Sequence, residues 1–419
     1  MSKRILFVDD ELMVLKGLER SLRSMRKEWE MEFVLGGPEA LEAMAHEPFD
    51  VVVSDMRMPG MDGAQLLDLV KKRFSQTVRM VLSGQSDKDA VLRAIRPTHQ
   101  YLSKPCDVEE LKQKLGGVLA LRDVLDNPQL KQKVSQLETL PSPPSLYDAL
   151  RTELESPNPS LQAAADIVSS DPAMTAKLLQ LVNSAFLGSA SRLFCPKQAI
   201  SIIGLENLHS LVTSVGLFSE MRSELAEILT PLWRHANATA RFAKAIARCE
   251  QAGPTAEQEC CTAGLLHDVG WIVLAATYEE QFVGLCSLLG QASSDRGASD
   301  QAKTVSPLNR ERAVFGGTHG QVGTYLLGLW GLPDSILEAV AWHHAPAQAH
   351  PTSFCPLLAV HAANHCDGQL HPSLPWTEGS GIDQDLLAQL GLQDRWLVWQ
   401  KQCQEIDEQI DDKSEVHHG

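Results

Sequence analysis

Positive charge is in short supply in this 419-residue chain: 37 lysines and arginines stand against 53 aspartates and glutamates, a net charge of −16. That balance works against broad electrostatic binding to DNA, RNA or anionic lipid, and neither a helix-turn-helix signature nor a basic stripe offsets it. No nucleic-acid partner and no membrane partner is expected. The chain also lacks an uninterrupted apolar run of the roughly 18 residues that a membrane-spanning helix requires. Its first residues, MSKRILFVDD, reach an acidic pair too early for a secretory signal peptide. Nine cysteines, an odd number with no Cys-x-x-Cys, read as reduced packing thiols rather than a disulfide framework. These absences together point to a cytoplasmic location.

What is present is enough apolar residue, 44% of the chain, to bury real cores. The length predicts two or three domains at roughly 100–200 residues each. Over the first 125 residues, apolar runs with polar C-terminal ends alternate with helical stretches: RILFVD (4–9), a weaker EFVLG (32–36), VVVSD (51–55), RMVLS (79–83) and YLSK (101–104). Strands that are apolar on both faces and separated by helices predict a doubly wound, five-stranded parallel sheet. Ligands of such sheets bind beyond the carboxyl ends of the strands. Those ends carry Asp9 and Asp10, Asp55, Ser83 and Lys104. Three carboxylates at one edge need a cation, and oxygen ligands suit Mg²⁺. A hydroxyl and an ammonium beside them suit a phosphoryl group, so the set describes a carboxylate nucleophile that accepts phosphate.

These residues and the stretch SDMRMPGMDG make residues 1–125 resemble response-regulator receiver domains. The resemblance implies Asp55 as phosphoacceptor, with Asp9, Asp10, Asp55 and the Arg57 backbone carbonyl on Mg²⁺. It implies Ser83 and Lys104 as phosphate contacts, Tyr101 as the switch aromatic, and Pro105 as part of a Lys-Pro pair that is often cis. It also implies a sensor histidine kinase or phosphotransfer protein as the phosphodonor.

A joint follows at 126–144. Apolar positions 111, 115, 118 and 125 keep a heptad-like spacing that Leu130, Val134 and Leu137 resume, before three prolines in LPSPPSL close it. Such a stripe either packs on its own domain or pairs two subunits in a homodimer.

Residues 145–370 read as all-α, with some ten or more helices. They contain His235 in LWRHANAT, His267–Asp268 in GLLHDVGWIVL, His319 in FGGTHGQVG and His343–His344 in AWHHAP. Imidazole and carboxylate together suit Fe, Mn, Zn or Ni, and two such ions about 3.5–4 Å apart can clamp a phosphodiester. The order of these ligands resembles HD-type phosphohydrolases, including the HD-GYP cyclic-dinucleotide phosphodiesterases. SSDPAMTAKLLQLVNSAFLG, AISIIGLENL, AGLLHDVGWIVL, FGGTHGQVGTYLLGLWGLP and HHAP resemble the HDOD domain more closely, over about 137–370. That resemblance implies a regulatory output module without an established catalytic activity.

Against a phosphodiesterase, Trp271 stands where HD-GYP enzymes carry a phosphate-binding lysine, and no Gly-Tyr-Pro follows the double histidine. Asn364 stands where a last Asp ligand is expected, with Asp367 three residues on. The expected function is thus phosphorylation-controlled signalling, its output acting on an unknown downstream protein or sensing a ligand. The alternative is a metal-dependent phosphohydrolase of nucleotides or cyclic dinucleotides.

A polar loop is expected at about 291–309. The extension 371–419 is expected to carry an amphipathic helix, with Trp396, Trp399, Cys403, Ile406 and Ile410 on one stripe, and a disordered end, DDKSEVHHG.

Overall fold

The computed structural model describes residues 3–84, 97–183, 193–294, 306–371 and 381–416. Its N-terminal part is a five-stranded parallel sheet, β1 (Lys3–Val8), β2 (Trp29–Val34), β3 (Val51–Asp55), β4 (Val78–Ser83) and β5 (Gln100–Ser103), in the order β2-β1-β3-β4-β5. The strands are apolar because both faces are covered. Ile5, Phe7, Val51, Val53, Met80, Leu82 and Leu102 bury on one side. Leu6, Val8, Val52, Val81 and Tyr101 bury on the other. The strand order reverses between β1 and β3, which opens a crevice at their carboxyl ends. Gly63 permits the approach of the next helix, Gly63–Arg73, since a Cβ there would strike the Asp55 carbonyl.

The heptad-like stripe of the joint is consumed within the chain. It divides into a helix Val108–Ala120, a short 3-10 turn and a helix Pro128–Ser135. Leu111, Leu115, Val118, Leu125, Leu130 and Val134 all bury in a core continuous with one face of the sheet and with the helices beyond. Each such side chain contributes about 1.5–3 kcal/mol by leaving water.

Polar contacts bind the same joint. Arg79, at the start of β4 and 1% exposed, donates from Nε to the Pro97 carbonyl at 2.5 Å and from Nη2 to the Ser135 carbonyl at 3.0 Å. Gln180 Nε2 donates to the His99 carbonyl at 3.1 Å, and the Tyr325 hydroxyl meets Ser135 Oγ at 2.9 Å. Gln100 Nε2 donates to the Gly328 carbonyl at 2.9 Å. Gly328 has no side chain because Leu121 lies 2.5 Å from where its Cβ would be.

From Pro144 to Leu370 the described chain is helical with one exception. Ser219–Glu220 pairs in parallel with Pro141–Ser142, a ladder too short to leave a periodic trace in the sequence. Pro254–Thr277 is long and apolar enough to cross a membrane, but 83% of its window is buried inside the fold. The expected loop at 291–309 is shorter at both ends, because helices Glu279–Ser294 and Pro307–Phe315 extend into it. The residues between, 295–305, lie outside the described set.

The stripe of the last helix, Arg395–Val416, packs on its own chain: Trp399 and Cys403 are fully buried, Trp396 nearly so, and Ile406 lies against them. The side chain of Ile410 lies outside the described set. Of the expected disordered end, residues 417–419 lie outside the described set. The helix before them is described as far as Val416.

Candidate functional site

Two centres emerge. The first lies at the carboxyl edge of the sheet. Parallel strands of matched register bring Asp9, Asp55 and Lys104 together from three positions far apart in sequence. Lys104 Nζ donates to Asp9 Oδ2 at 2.8 Å and pairs with Asp55 Oδ1. Asp55 Oδ2 accepts the Arg57 N–H at 2.7 Å, and Asp9 Oδ1 accepts the Glu11 N–H at 2.9 Å. Asp10 is exposed beside them. Burial raises the Asp55 carboxyl above its ordinary value, opposed by the bond and charge of Lys104. The Lys104–Pro105 bond is cis. Tyr101 is 2% exposed, on the face of β5 opposite Gln100 and Leu102. Its burial pushes the phenol far above the usual range. Ser83 ends β4 at the same edge, and its side chain lies outside the described set.

The second centre lies in the helical core. His235 comes from the middle of helix Ser223–Cys249. His267 and Asp268 occupy the turn between helices Pro254–Leu266 and Val269–Thr277. His319 opens helix His319–Leu329, whose start is fixed by a capping box of Thr318 and Gln321. His343 and His344 follow helix Asp334–Trp342. The turn at 267–268 can approach His319 only because residue 270 is glycine, since a Cβ there would strike the His319 carbonyl.

Asp268 stands between two groups of ligand atoms. His235 and His267 form one with it; His319, His343 and His344 form the other, and within each group the atoms lie within 4.8 Å of one another. Oδ2 lies 3.6 Å from His235 Nε2 and 3.4 Å from His267 Nε2. Oδ1 lies 3.2 Å from His319 Nε2 and 3.4 Å from His343 Nε2, yet receives no well-formed hydrogen bond.

The outward nitrogens of His235, His267, His319 and His343 are held by acceptors. Nδ1 of His235 meets Asp367 Oδ2 at 2.5 Å, and Nδ1 of His267 meets the Gly264 carbonyl at 2.7 Å. Nδ1 of His319 meets Glu311 Oε2 at 2.8 Å, and Nδ1 of His343 meets the Val340 carbonyl at 3.0 Å. Acceptors at Nδ1 place the hydrogen there and turn Nε2 inward, the arrangement of metal-ligating histidines. Imidazole nitrogens 3.1–3.3 Å apart, as between His235 and His267 and between His319 and His343, need a proton or a cation between them. The donor set therefore fits transition ions.

The electrostatics agree with a centre short of positive charge. Burial opposes ionisation of Asp268, but the charge of His267 and the close imidazoles of His267, His319 and His343 hold it well below the usual carboxylate range. Burial likewise opposes charge on His319, yet Glu311 and Asp268 push it up to about 10. His343, buried with less compensation, falls to about 4.

The sequence pattern missed Glu311 and Asp367 as partners of the candidate ligand histidines His319 and His235. No spacing rule ties them to His319 or His235, and only Asp367, in the mostly apolar helix Pro356–Leu370, stands out as a carboxylate among apolar neighbours. Asn364 is buried on helix Pro356–Leu370, one turn before Asp367. Trp271 lies flat on His319, ring centroids 5.0 Å apart and planes 15° apart, and seals the centre from that side.

Two family models match the chain: response regulator receiver domain over residues 5–116 and HDOD domain over residues 140–346. An uncharacterized protein of Treponema pallidum is 27% identical over 227 residues, 54% of this chain and 41% of that protein. The response regulator protein PilR of Pseudomonas aeruginosa is 28% identical over 153 residues, 36% of this chain and 33% of that protein. Among solved structures, the MmoQ response regulator of Methylococcus capsulatus aligns over 62% of this chain and 97% of its own at 20% identity, with a TM-score of 0.45. The chain spans less than half the length of the curated relatives it matches.

Proposed function

The chain belongs to the response regulators of two-component signalling, with a receiver domain followed by an HDOD domain, and from that premise we propose that phosphorylation of Asp55 controls a metal-stabilised, non-hydrolytic output. A receiver implies a histidine kinase or phosphotransfer protein as partner and Mg²⁺ as cofactor. In the reaction, an Asp55 carboxylate oxygen attacks phosphorus, the bond to the donor's imidazole nitrogen breaks, and that imidazole leaves. Asp9, Asp10, Asp55 and the Arg57 carbonyl would hold Mg²⁺, which neutralises charge on the transferred group. Lys104, already bridging Asp9 and Asp55, turns its ammonium toward a phosphoryl oxygen. Ser83 supplies a hydroxyl, and Tyr101 carries the change into β5.

The output is a change in what the helical part binds, a downstream protein or a small ligand, in the cytoplasm. His235, His267 and Asp268, with the Asn364 amide, would hold one transition ion; Asp268, His319, His343 and His344 would hold a second. Such ions supply fixed positive charge that cross-links five segments of the fold. Burial of every one of these ligands except His344, together with the Trp271 stack, favours a closed structural centre over a phosphodiesterase, which keeps an open position for substrate.

One observation carries the reading. The helix that begins with His319 ends at the carbonyl that accepts from Gln100, the neighbour of Tyr101. Hydrogen exchange on the full chain with Mg²⁺ and beryllofluoride tests it. Altered protection is expected in both 97–103 and 319–329, and none in Asp55→Ala. A change confined to residues before 125 overturns the proposal.

A further inference from the structure

The centre does not end at its ligands. Asp367 uses its two oxygens in opposite directions: Oδ2 faces His235 Nδ1 at 2.5 Å, and Oδ1 accepts from His371 Nδ1 at 2.9 Å. His371 in turn presents Nε2 to Asp407 Oδ2 at 3.3 Å. The four groups form one file from the surface to the core, with side-chain exposures of 17% for Asp407, 33% for His371, 4% for Asp367 and 1% for His235. Arg241 is the cation whose charge reaches both Asp407 and Asp367.

Asp407 belongs to the C-terminal helix, outside both regions that the family models match. That helix is held in place independently of the file. Arg395 Nε donates to Glu250 Oε1 at 2.7 Å, Arg395 Nη2 donates to the Cys249 carbonyl at 2.7 Å, and Trp399 Nε1 donates to Glu250 Oε1 at 2.8 Å. Its buried face sets the rotation of the helix, and with it where Asp407 points. Asp407, one turn beyond the buried Cys403, meets His371, which holds Asp367 from the side away from His235.

We propose that Asp407 is a positioning residue of the His/Asp centre: through His371 and Asp367 it fixes the ring of His235, so that the C-terminal extension sets the centre's affinity for a transition ion. The inference rests on the metal-binding reading above. Its physical basis is that a metal-ligating imidazole depends on what its second nitrogen donates to, and on how firmly that acceptor is itself held. Without Asp407 the His371 ring loses its outer anchor, Asp367 gains freedom to rotate, and His235 loses a fixed tautomer.

The test is a Co²⁺ titration of the full chain, read by visible ligand-field absorption and by competition with a chelator. Asp407→Asn keeps the shape and removes the charge, and is expected to weaken Co²⁺ binding about tenfold, the lower end of what loss of an outer partner costs. Asp407→Glu is expected to recover most of that loss. Glu408→Ala, an exposed neighbour on the same helix, is expected to match the unaltered chain. Unchanged affinity and spectrum in Asp407→Asn, beside an unaltered chain that binds Co²⁺, overturns this inference alone. Absence of Co²⁺ binding by the unaltered chain overturns the metal centre and this inference with it.

Discussion

Gln100 and Gly328 meet across the joint: the Gln100 amide donates to the Gly328 carbonyl at 2.9 Å and ties the edge strand of the sheet to the last turn of the helix that His319 begins. Residue 328 is glycine where Leu121 packs closely against it. The bond links the strand that leads to Lys104 with the helix that His319 begins.

Gly328→Val is therefore expected to separate the two parts. Its Cβ would lie 2.5 Å from Leu121, and overpacking of this kind costs about 1–3 kcal/mol. Urea denaturation should show the loss, and the double variant Gly328→Val with Leu121→Ala should recover part of it. Equal stability of the single variant and the unaltered chain would mean that the helices part without cost.

Asp171 gives the fold a pH dependence. Its Oδ1 caps helix Pro172–Val182 through the Ala173 N–H at 2.9 Å and accepts the Trp233 indole N–H at 3.1 Å, while Oδ2 is buried without a well-formed partner. Burial pushes this carboxyl from 3.8 up to about 6, against the bonds it receives. The folded value exceeds the unfolded one, so folding favours the protonated form. The stability it contributes is full below about pH 4 and declines as pH rises through about 6. Asp171→Asn keeps the acceptor and removes the charge. It should stabilise the chain at pH 7.5 by about 2–3 kcal/mol and have little effect at pH 4, at about 1.4 kcal/mol per pH unit. Thermal melts at the two pH values decide; equal effects at both would refute the assignment.

Chelation should unfold the helical part more readily. A ligand that binds only the native state at 100 times its Kd adds about 2.7 kcal/mol. Calorimetry of the chain loaded with Zn²⁺ or Mn²⁺, before and after chelator treatment, is expected to show a fall in Tm that His319→Ala does not show. A chelator-insensitive Tm in the loaded chain would leave the histidines as hydrogen-bonding core residues.

Much of this was legible in the residues themselves. Strand-end polarity located Asp9, Asp55 and Lys104, because a parallel sheet places all carboxyl ends on one edge whatever its details. The order His235, His267–Asp268, His319, His343–His344 was readable because each ligand sits in a local motif. Glu311, Asp367, His371 and Asp407 were not readable. Glu311, Asp367 and Asp407 each act on a histidine from another element, at a separation that no periodicity encodes, and His371, one helical turn from Asp367, gains its role only from that arrangement. The joint shows the same limit. Its heptad-like spacing announced a stripe that must be covered, but an apolar stripe is equally content against its own domain or a second chain.

The doubly wound sheet, the helical region and the donor chemistry of each are written in the residues, because strand and helix periods, strand-end charges and the order of candidate ligands are local properties. That the joint stripe closes inside one core, that Trp271 covers His319, and that a C-terminal carboxylate stands behind His235 through His371 and Asp367 emerge from the packed fold alone. Those outcomes depend on how helix faces rotate and meet, which packing of the whole core settles.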